Sequence, residues 1–154
     1  MRNSLTKLIV GLAIMAIGSL AADNTLGTWK LNMAKSKFSP SAPVKSLTVT
    51  REASDGGVKQ TTTGERADGT PINGSYAGKY DGNEYPVTGA PYDVISVKQV
   101  NANTYTVTQR KTDGKYRQTG RNVVSKDGKT LTASRKGTDA DGKAYSATLV
   151  FDKQ

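Results

Sequence analysis

The sequence contains neither cysteine nor histidine. Without cysteine the chain has no disulfide, no thiol nucleophile and no cysteine-linked lipid anchor. Without histidine it lacks the commonest general base, catalytic-triad member and zinc ligand. No glycine-rich phosphate loop precedes a helical pattern. These absences argue against an enzyme, although chemistry through serine, lysine or tyrosine is kept as a remote alternative. We therefore expect no catalytic residues, no metal and no cofactor.

Long apolar runs are also scarce. The one long run, residues 8–20, has 13 residues, which is too few for a comfortable membrane span. Two basic residues precede it, and Ser19-Leu20-Ala21 then places small residues at a cleavage site. This pattern predicts a signal peptide over residues 1–21, with a cut after Ala22 as second choice and a retained membrane anchor as the alternative. The expected location is periplasmic or secreted, without stable membrane insertion once the leader is removed.

The charge is of one predominant sign. The net charge is +9, and removal of Arg2 and Lys7 leaves +7 because every acidic residue lies beyond the leader. A basic exported protein meets lipid headgroups, acidic polysaccharides and acyl anions rather than nucleic acid. The charge is scattered along the chain, which is typical of a solvated face, and a dedicated polyanion site is the alternative.

Turn signals are abundant in the remaining residues, 22–154, which we predict to be a single β-barrel domain. Asp-Gly pairs favour tight hairpins, and they recur at intervals that suit one strand plus one turn. Between them, apolar and polar residues alternate with period two, which is typical of an antiparallel sheet with one wet face. The pattern predicts an all-β, antiparallel, up-and-down barrel of about ten strands. The predicted strands are residues 26–32, 45–53, 57–65, 71–80, 84–87, 93–100, 103–111, 115–124, 129–136 and 143–152.

Residues 33–45 form the one long connection without a strand pattern. Residues 34–38 allow a single helical turn, which Pro40 and Pro43 then prevent from extending. This segment is either a lid across one end of the barrel or a plain surface loop.

Three short motifs resemble intracellular fatty-acid-binding proteins, members of the calycin group that includes the lipocalins. The first is Gly27-Thr28-Trp29-Lys30-Leu31 with Ser36-Lys37-Phe38 after it. The second is Asp113-Gly114-Lys115 followed by Arg121, and the third is the final segment, residues 147–153. The resemblance implies a ten-stranded barrel with an interior ligand, here in a bacterial-type exported member. It also implies that Trp29 plugs the closed end of the barrel, although an indole stacked on a ligand at the mouth is the alternative.

The sequence departs from that family in the last strand. The family has an inward arginine and an inward tyrosine there, which hold a carboxylate, and Leu149 and Phe151 stand in their places. The family's two-helix portal is missing as well. The resemblance implies that Arg121 points into the cavity. The alternative is that Arg121 faces solvent, because Arg117 lies on the same face of the strand and both arginines could then be on the outside. The candidate ligand-binding residues are Arg121, Tyr145, Leu149 and Phe151.

Two functions remain open at this point. The first is an exported barrel that binds a small hydrophobic or lipid-like ligand in its interior. Leu149 and Phe151 favour a neutral or weakly polar lipid, because an acyl anion in a low-dielectric cavity needs hydrogen-bonded positive partners. The alternative is a packed barrel whose basic outer surface contacts acidic envelope polymers or a protein partner. Cavity volume separates them, since a drug-sized ligand requires roughly 300 Å³ or more.

Overall fold

The computed structural model describes residues 23–154, so the predicted signal peptide lies outside the described residues. The described chain is all-β apart from one 3₁₀ turn, Met33–Lys35. The strands are β1 (Gly27–Leu31), β2 (Lys37–Ser39), β3 (Val44–Ser54), β4 (Gly57–Arg66), β5 (Pro71–Gly78), β6 (Asp81–Thr88), β7 (Val94–Asn101), β8 (Thr104–Arg110), β9 (Arg117–Val124), β10 (Thr130–Thr138) and β11 (Ala144–Lys153). Among these residues no helix is long and apolar enough to cross a membrane.

The strands form one closed antiparallel barrel with ten positions. From β3 to β11 each strand pairs with the next in sequence, and β1 closes the sheet by pairing with both β3 and β11. β2 also pairs with β11, so β1 and β2 share one position on either side of the 3₁₀ turn. The predicted ten-stranded, up-and-down antiparallel barrel is confirmed. Closure pairs the edges that an open sheet would expose.

The two ends of the barrel differ. The turns at residues 40–43, 67–70, 89–93 and 139–142 surround one end, which we call the mouth. The turns at residues 55–56, 102–103 and 125–129 and the start of β1 lie at the other, the closed end. The segment predicted to be a lid or a loop, residues 33–45, joins the wall through β2. Phe38, Pro40 and Pro43 of this segment line the cavity at the mouth.

Side chains alternate between the two faces of each strand, and this alternation shows which residues point into the barrel. Paired residues of an antiparallel ladder share a face, and the ladder of β10 and β11 pairs Leu131 with Phe151 and Ala133 with Leu149. The buried residues form two apolar clusters. The first contains Trp29, Leu31, Val49, Val124, Leu131, Ala133 and Phe151. The second contains Val58, Tyr76, Val87, Ile95, Val97, Tyr105 and Val107.

Five of the six Asp-Gly pairs lie in turns between consecutive strands, as predicted, but only one of them forms a two-residue hairpin. At Asp55-Gly56 both residues have positive φ, 44° and 73°, as a two-residue hairpin with the right-handed strand twist requires. Asp81-Gly82 was predicted to be a turn and instead lies inside β6, where the register with β7 shifts between Asp81 and Glu84. The Asp81 carboxylate there accepts hydrogen bonds from Asn83 and Tyr85, so it stabilises an irregular strand start.

Candidate ligand-binding cavity

A cavity of about 440 Å³ occupies the mouth half of the barrel. Its wall is built from inward residues of most strands and from the turns around the mouth. Most of its surface is apolar, and the principal apolar residues are Phe38, Val44, Leu47, Val49, Ile72, Val87, Leu131, Leu149 and Phe151. The volume lies within the range of known small-molecule sites, roughly 300–1,000 Å³. The packed-barrel alternative required an interior that is filled by side chains. The cavity shows that side chains do not fill it.

A second, smaller space of about 40 Å³ lies towards the closed end. Thr25, Tyr80 and Tyr105 are among the residues that line only this space. Six residues line both spaces and cross the barrel between them, and we call them the polar belt: Arg51, Gln60, Tyr76, Gln109, Asn122 and Arg135. The cavity thus has an apolar outer part and a polar inner end.

Arg51 reaches the belt from β3, on the same face as Leu47 and Val49. Its side chain is nearly enclosed, with 9% of the residue exposed. The Nε–H donates to Oε1 of Gln60 at 2.8 Å, and Gln60 in turn donates to the hydroxyl of Thr62. Nη1 of Arg51 is buried and has no hydrogen-bond partner among residues 23–154. A buried, unsatisfied donor of a charged group carries a full desolvation cost.

Arg135 reaches the belt from β10, opposite Gly120, which has no side chain to occupy the space. One guanidinium nitrogen donates to Oδ1 of Asn122 at 2.9 Å and the other to the carbonyl oxygen of Ser134 at 2.6 Å. Burial lowers the pKa of Arg135, and the nearby charge of Arg51 acts in the same direction. An arginine nevertheless keeps its proton at neutral pH, so both guanidinium groups carry positive charge inside the barrel.

Neither of these two arginines is neutralised by a carboxylate in the described part of the chain. None of the ion pairs among residues 23–154 includes Arg51 or Arg135. Residues 1–22 contain no aspartate or glutamate that could supply one. Asp139 and Asp141 line the cavity only at the mouth, where Asp139 accepts the backbone N–H groups of its own turn. The two guanidinium groups at the inner end of the cavity therefore have no ion-pair partner. The Asp23 carboxylate lies beyond the belt on the closed-end side, where it accepts from the Thr25 hydroxyl.

Tyrosines surround the belt. The rings of Tyr92 and Tyr116 lie 5.4 Å apart near the mouth, and Gln109 donates to the Tyr92 hydroxyl at 3.0 Å. The Tyr80 ring packs edge-on against Tyr105, and its hydroxyl lies 2.6 Å from the Thr25 hydroxyl. Burial raises the pKa of Tyr92 to about 12 and also raises the pKa of Tyr80 and Tyr116. These phenols stay neutral at physiological pH.

Three of the four predicted site residues line the cavity. Tyr145, Leu149 and Phe151 project inward from β11, across from the inward residues of β10. Their assignment as ligand contacts remains a prediction.

The prediction that Arg121 points into the cavity is wrong. It is exposed on the outer face of β9, because the buried residues of that strand are Gln118, Asn122 and Val124 and the side chains alternate. We therefore remove Arg121 from the candidate site. The inward arginines, Arg51 and Arg135, were not predicted, although Arg51 shares the parity of Leu47 and Val49 in the sequence.

Trp29 lies at the closed end and is fully buried. Its indole N–H donates to the carbonyl oxygen of Thr25 at 2.8 Å, and the ammonium of Lys153 lies 5.2 Å from the centre of the ring. Trp29 lines neither of the two spaces described above. Its role as the plug of the closed end remains a prediction.

No family model and no curated protein sequence matches the chain. Among solved structures, it is similar to the Schistosoma mansoni fatty acid binding protein in complex with arachidonic acid, with 17% identity and a TM-score of 0.54 over 87% of this chain and 98% of that one. It is also similar to EF1p2_mFAP2b bound to DFHBI, with 13% identity and a TM-score of 0.50 over 87% and 97% of the two chains. At these identities the similarity is one of fold alone, and the chain has a closed antiparallel β-barrel fold like that of the fatty acid binding protein.

Proposed function

We propose that this protein is an exported, non-enzymatic barrel that binds one small hydrophobic or lipid-like molecule in its interior. The observation that carries the proposal is the largely apolar cavity of about 440 Å³ inside a closed wall. Burial of apolar surface favours binding by roughly 25 cal/mol for each Å² removed from water, and a preformed cavity loses little entropy when it fills. The two similar barrels, one in complex with arachidonic acid and one bound to DFHBI, support a small-molecule ligand.

Export rests on the sequence pattern of residues 1–21. A leader of this kind directs the chain out of the cytoplasm and is then removed. Binding rather than catalysis is supported by the distribution of acidic groups. Several aspartates hold their own turns, as Asp68, Asp127 and Asp139 do through backbone N–H groups, and are not paired for acid–base work.

The test is displacement of a fluorescent lipid probe from delipidated mature protein. Leu149→Trp should reduce probe affinity by about tenfold or more, because a larger inward ring occupies the space that the ligand needs. Thr148→Trp is the matched control, since Thr148 is the adjacent residue of β11 and is exposed on the outer face. Circular dichroism verifies that both variants fold.

Failure of the wild-type protein to bind any apolar probe would overturn the proposal. Equal binding by folded Leu149→Trp and wild type would remove the cavity as the location.

A further inference from the structure

Two charged side chains inside a largely apolar cavity require a physical explanation. A charge moved from water into a protein interior costs several kcal/mol unless it is paired and hydrogen-bonded. Arg51 is nearly enclosed and Arg135 is half-buried in the cavity wall, and neither forms an ion pair with a carboxylate among residues 23–154. On the outside of the barrel the chain does provide such a partner, because Arg110 forms a two-point ion pair with Glu84 at 2.9 and 2.7 Å.

The inner arginines are positioned by neutral acceptors. The side-chain oxygens of Gln60 and Asn122 accept from Arg51 and Arg135, respectively. A neutral acceptor fixes the direction of a guanidinium without cancelling its charge. Nη1 of Arg51, in a residue that is more than nine-tenths buried, has no partner at all. The charge and at least one donor therefore remain available to a molecule in the cavity.

We propose that the polar belt is an anion site, where Arg51 and Arg135 bind the compact oxyanion head of an amphipathic organic acid whose apolar tail extends to the mouth. The inference rests on the proposed function, because the tail occupies the same cavity. Guanidinium groups bind carboxylate or phosphate oxygens with two parallel hydrogen bonds, which are stronger than those between neutral groups.

The shape of the interior gives the ligand its direction. The small space of about 40 Å³ beside the belt is large enough for a few heavy atoms and too small for a tail. The larger space beyond it is walled by apolar residues such as Leu47, Leu149 and Phe151. The head therefore lies deep and the tail points outwards. The site is formed by β3 and β10 rather than by the last strand, where the sequence resemblance had suggested an arginine and a tyrosine.

The experiment compares dodecanoate, dodecyl phosphate and dodecanol on delipidated protein by displacement of the same probe. The three share a tail and differ in the head. We expect dodecanoate or dodecyl phosphate to bind at least about tenfold more tightly than dodecanol, because a hydrogen bond to a charged group contributes roughly one to two orders of magnitude in affinity. The tighter of the two anions identifies the head.

Arg51→Gln and Arg135→Gln should each lower the affinity for the preferred anion by about tenfold or more and leave dodecanol within about twofold. Arg121→Gln is the matched control, since Arg121 is an arginine on the outer face of the same barrel. It should change neither affinity.

A second variant separates binding from a structural role. Arg51→Met should bind the anion poorly and raise the melting temperature of the free protein, because an apolar chain of similar length replaces a buried, unneutralised charge. A structural Arg51 would give the opposite shift.

The anion site is overturned if wild type binds the anions and dodecanol with equal affinity. It is also overturned if the arginine variants lose as much affinity for dodecanol as for the anions. In both cases the proposed function still stands. Failure of all three ligands and of the probe overturns both.

Discussion

At the scale of single residues, the parity of a strand decides what a side chain can do. Arg121 and Asn122 are neighbours in β9, yet the first is exposed and the second is part of the polar belt. A shift of one residue exchanges the two faces of a strand. The sequence was sufficient to place Tyr145, Leu149 and Phe151 on one face, because the apolar residues of β11 define it. For β9 it was not sufficient, because the inward residues Gln118, Gly120 and Asn122 have no apolar pattern.

The two inner arginines show a further limit of sequence-based prediction. Arg51 and Arg135 continue the apolar faces of β3 and β10, but an arginine at the end of an apolar series is usually assigned to solvent. Only the closed geometry shows that these positions face a shared interior.

The buried indole of Trp29 should contribute strongly to the stability of the fold. Trp29→Ala should lower the free energy of unfolding by about 3–5 kcal/mol, because it leaves a cavity in the closed end. The cation–π contact of Lys153 with the ring adds only about 0.5–1 kcal/mol at an exposed site, so Lys153→Ala should cost much less. Urea unfolding of the variants measures both values. A loss below about 1 kcal/mol for Trp29→Ala would remove Trp29 as the plug of the closed end.

At the scale of elements, the regular strands were predicted well, whereas the short strand β2 and the irregular start of β6 were not. Most of the ten predicted strands overlap the observed strands in their central residues and differ only at the ends. β2 has only three residues and precedes a proline, so its period-two signal is too short to recognise. Its strand character comes from pairing with the distant β11, which local sequence does not encode. The irregular start of β6 likewise depends on its register with β7.

The hairpin between β3 and β4 tests the turn chemistry. Gly56 has φ of 73° and an open surrounding, so Gly56→Ala is unfavourable through its backbone alone. We expect a loss of about 1 kcal/mol in the free energy of unfolding, and a smaller loss for Gly56→Asn, which tolerates positive φ. Ligand affinity should not change, because this turn lies at the closed end. Chemical denaturation that ranks alanine equal to glycine would contradict the assigned turn.

At the scale of the whole molecule, the interior tyrosines make stability sensitive to alkaline pH. Burial raises the pKa of Tyr92 to about 12, and the pKa values of Tyr76, Tyr80, Tyr105 and Tyr116 are also raised by burial. The unfolded chain then releases these protons near pH 10, before the folded chain does. Each such group stabilises the fold fully below about pH 10 and loses that contribution as the pH rises through the folded pKa.

The free energy of unfolding should therefore fall above about pH 10, by up to roughly 1.4 kcal/mol per pH unit for each buried tyrosine. Urea titrations between pH 8 and pH 12 measure the fall, and absorbance of the phenolate reports its cause. Native tyrosines that titrate together near pH 10 would contradict the buried assignment.

The proposed export is tested on the whole chain. Expression of the complete sequence in a bacterial host should yield a periplasmic protein that begins at Ala22, or at Asp23 if the second site is used. Intact mass and N-terminal sequencing of the periplasmic fraction measure this. A cytoplasmic or membrane-retained chain of full length would contradict the leader.

An NMR experiment on delipidated protein with ¹³C-labelled dodecanoate tests most directly whether the barrel holds a ligand in its interior. Binding in the interior should give nuclear Overhauser effects from the labelled tail to inward side chains, including Tyr145, Leu149 and Phe151, and none to the outward Thr148 of the same strand. Contacts confined to outward residues, or a tail that gives no contacts with the protein at saturating concentration, would contradict an interior ligand.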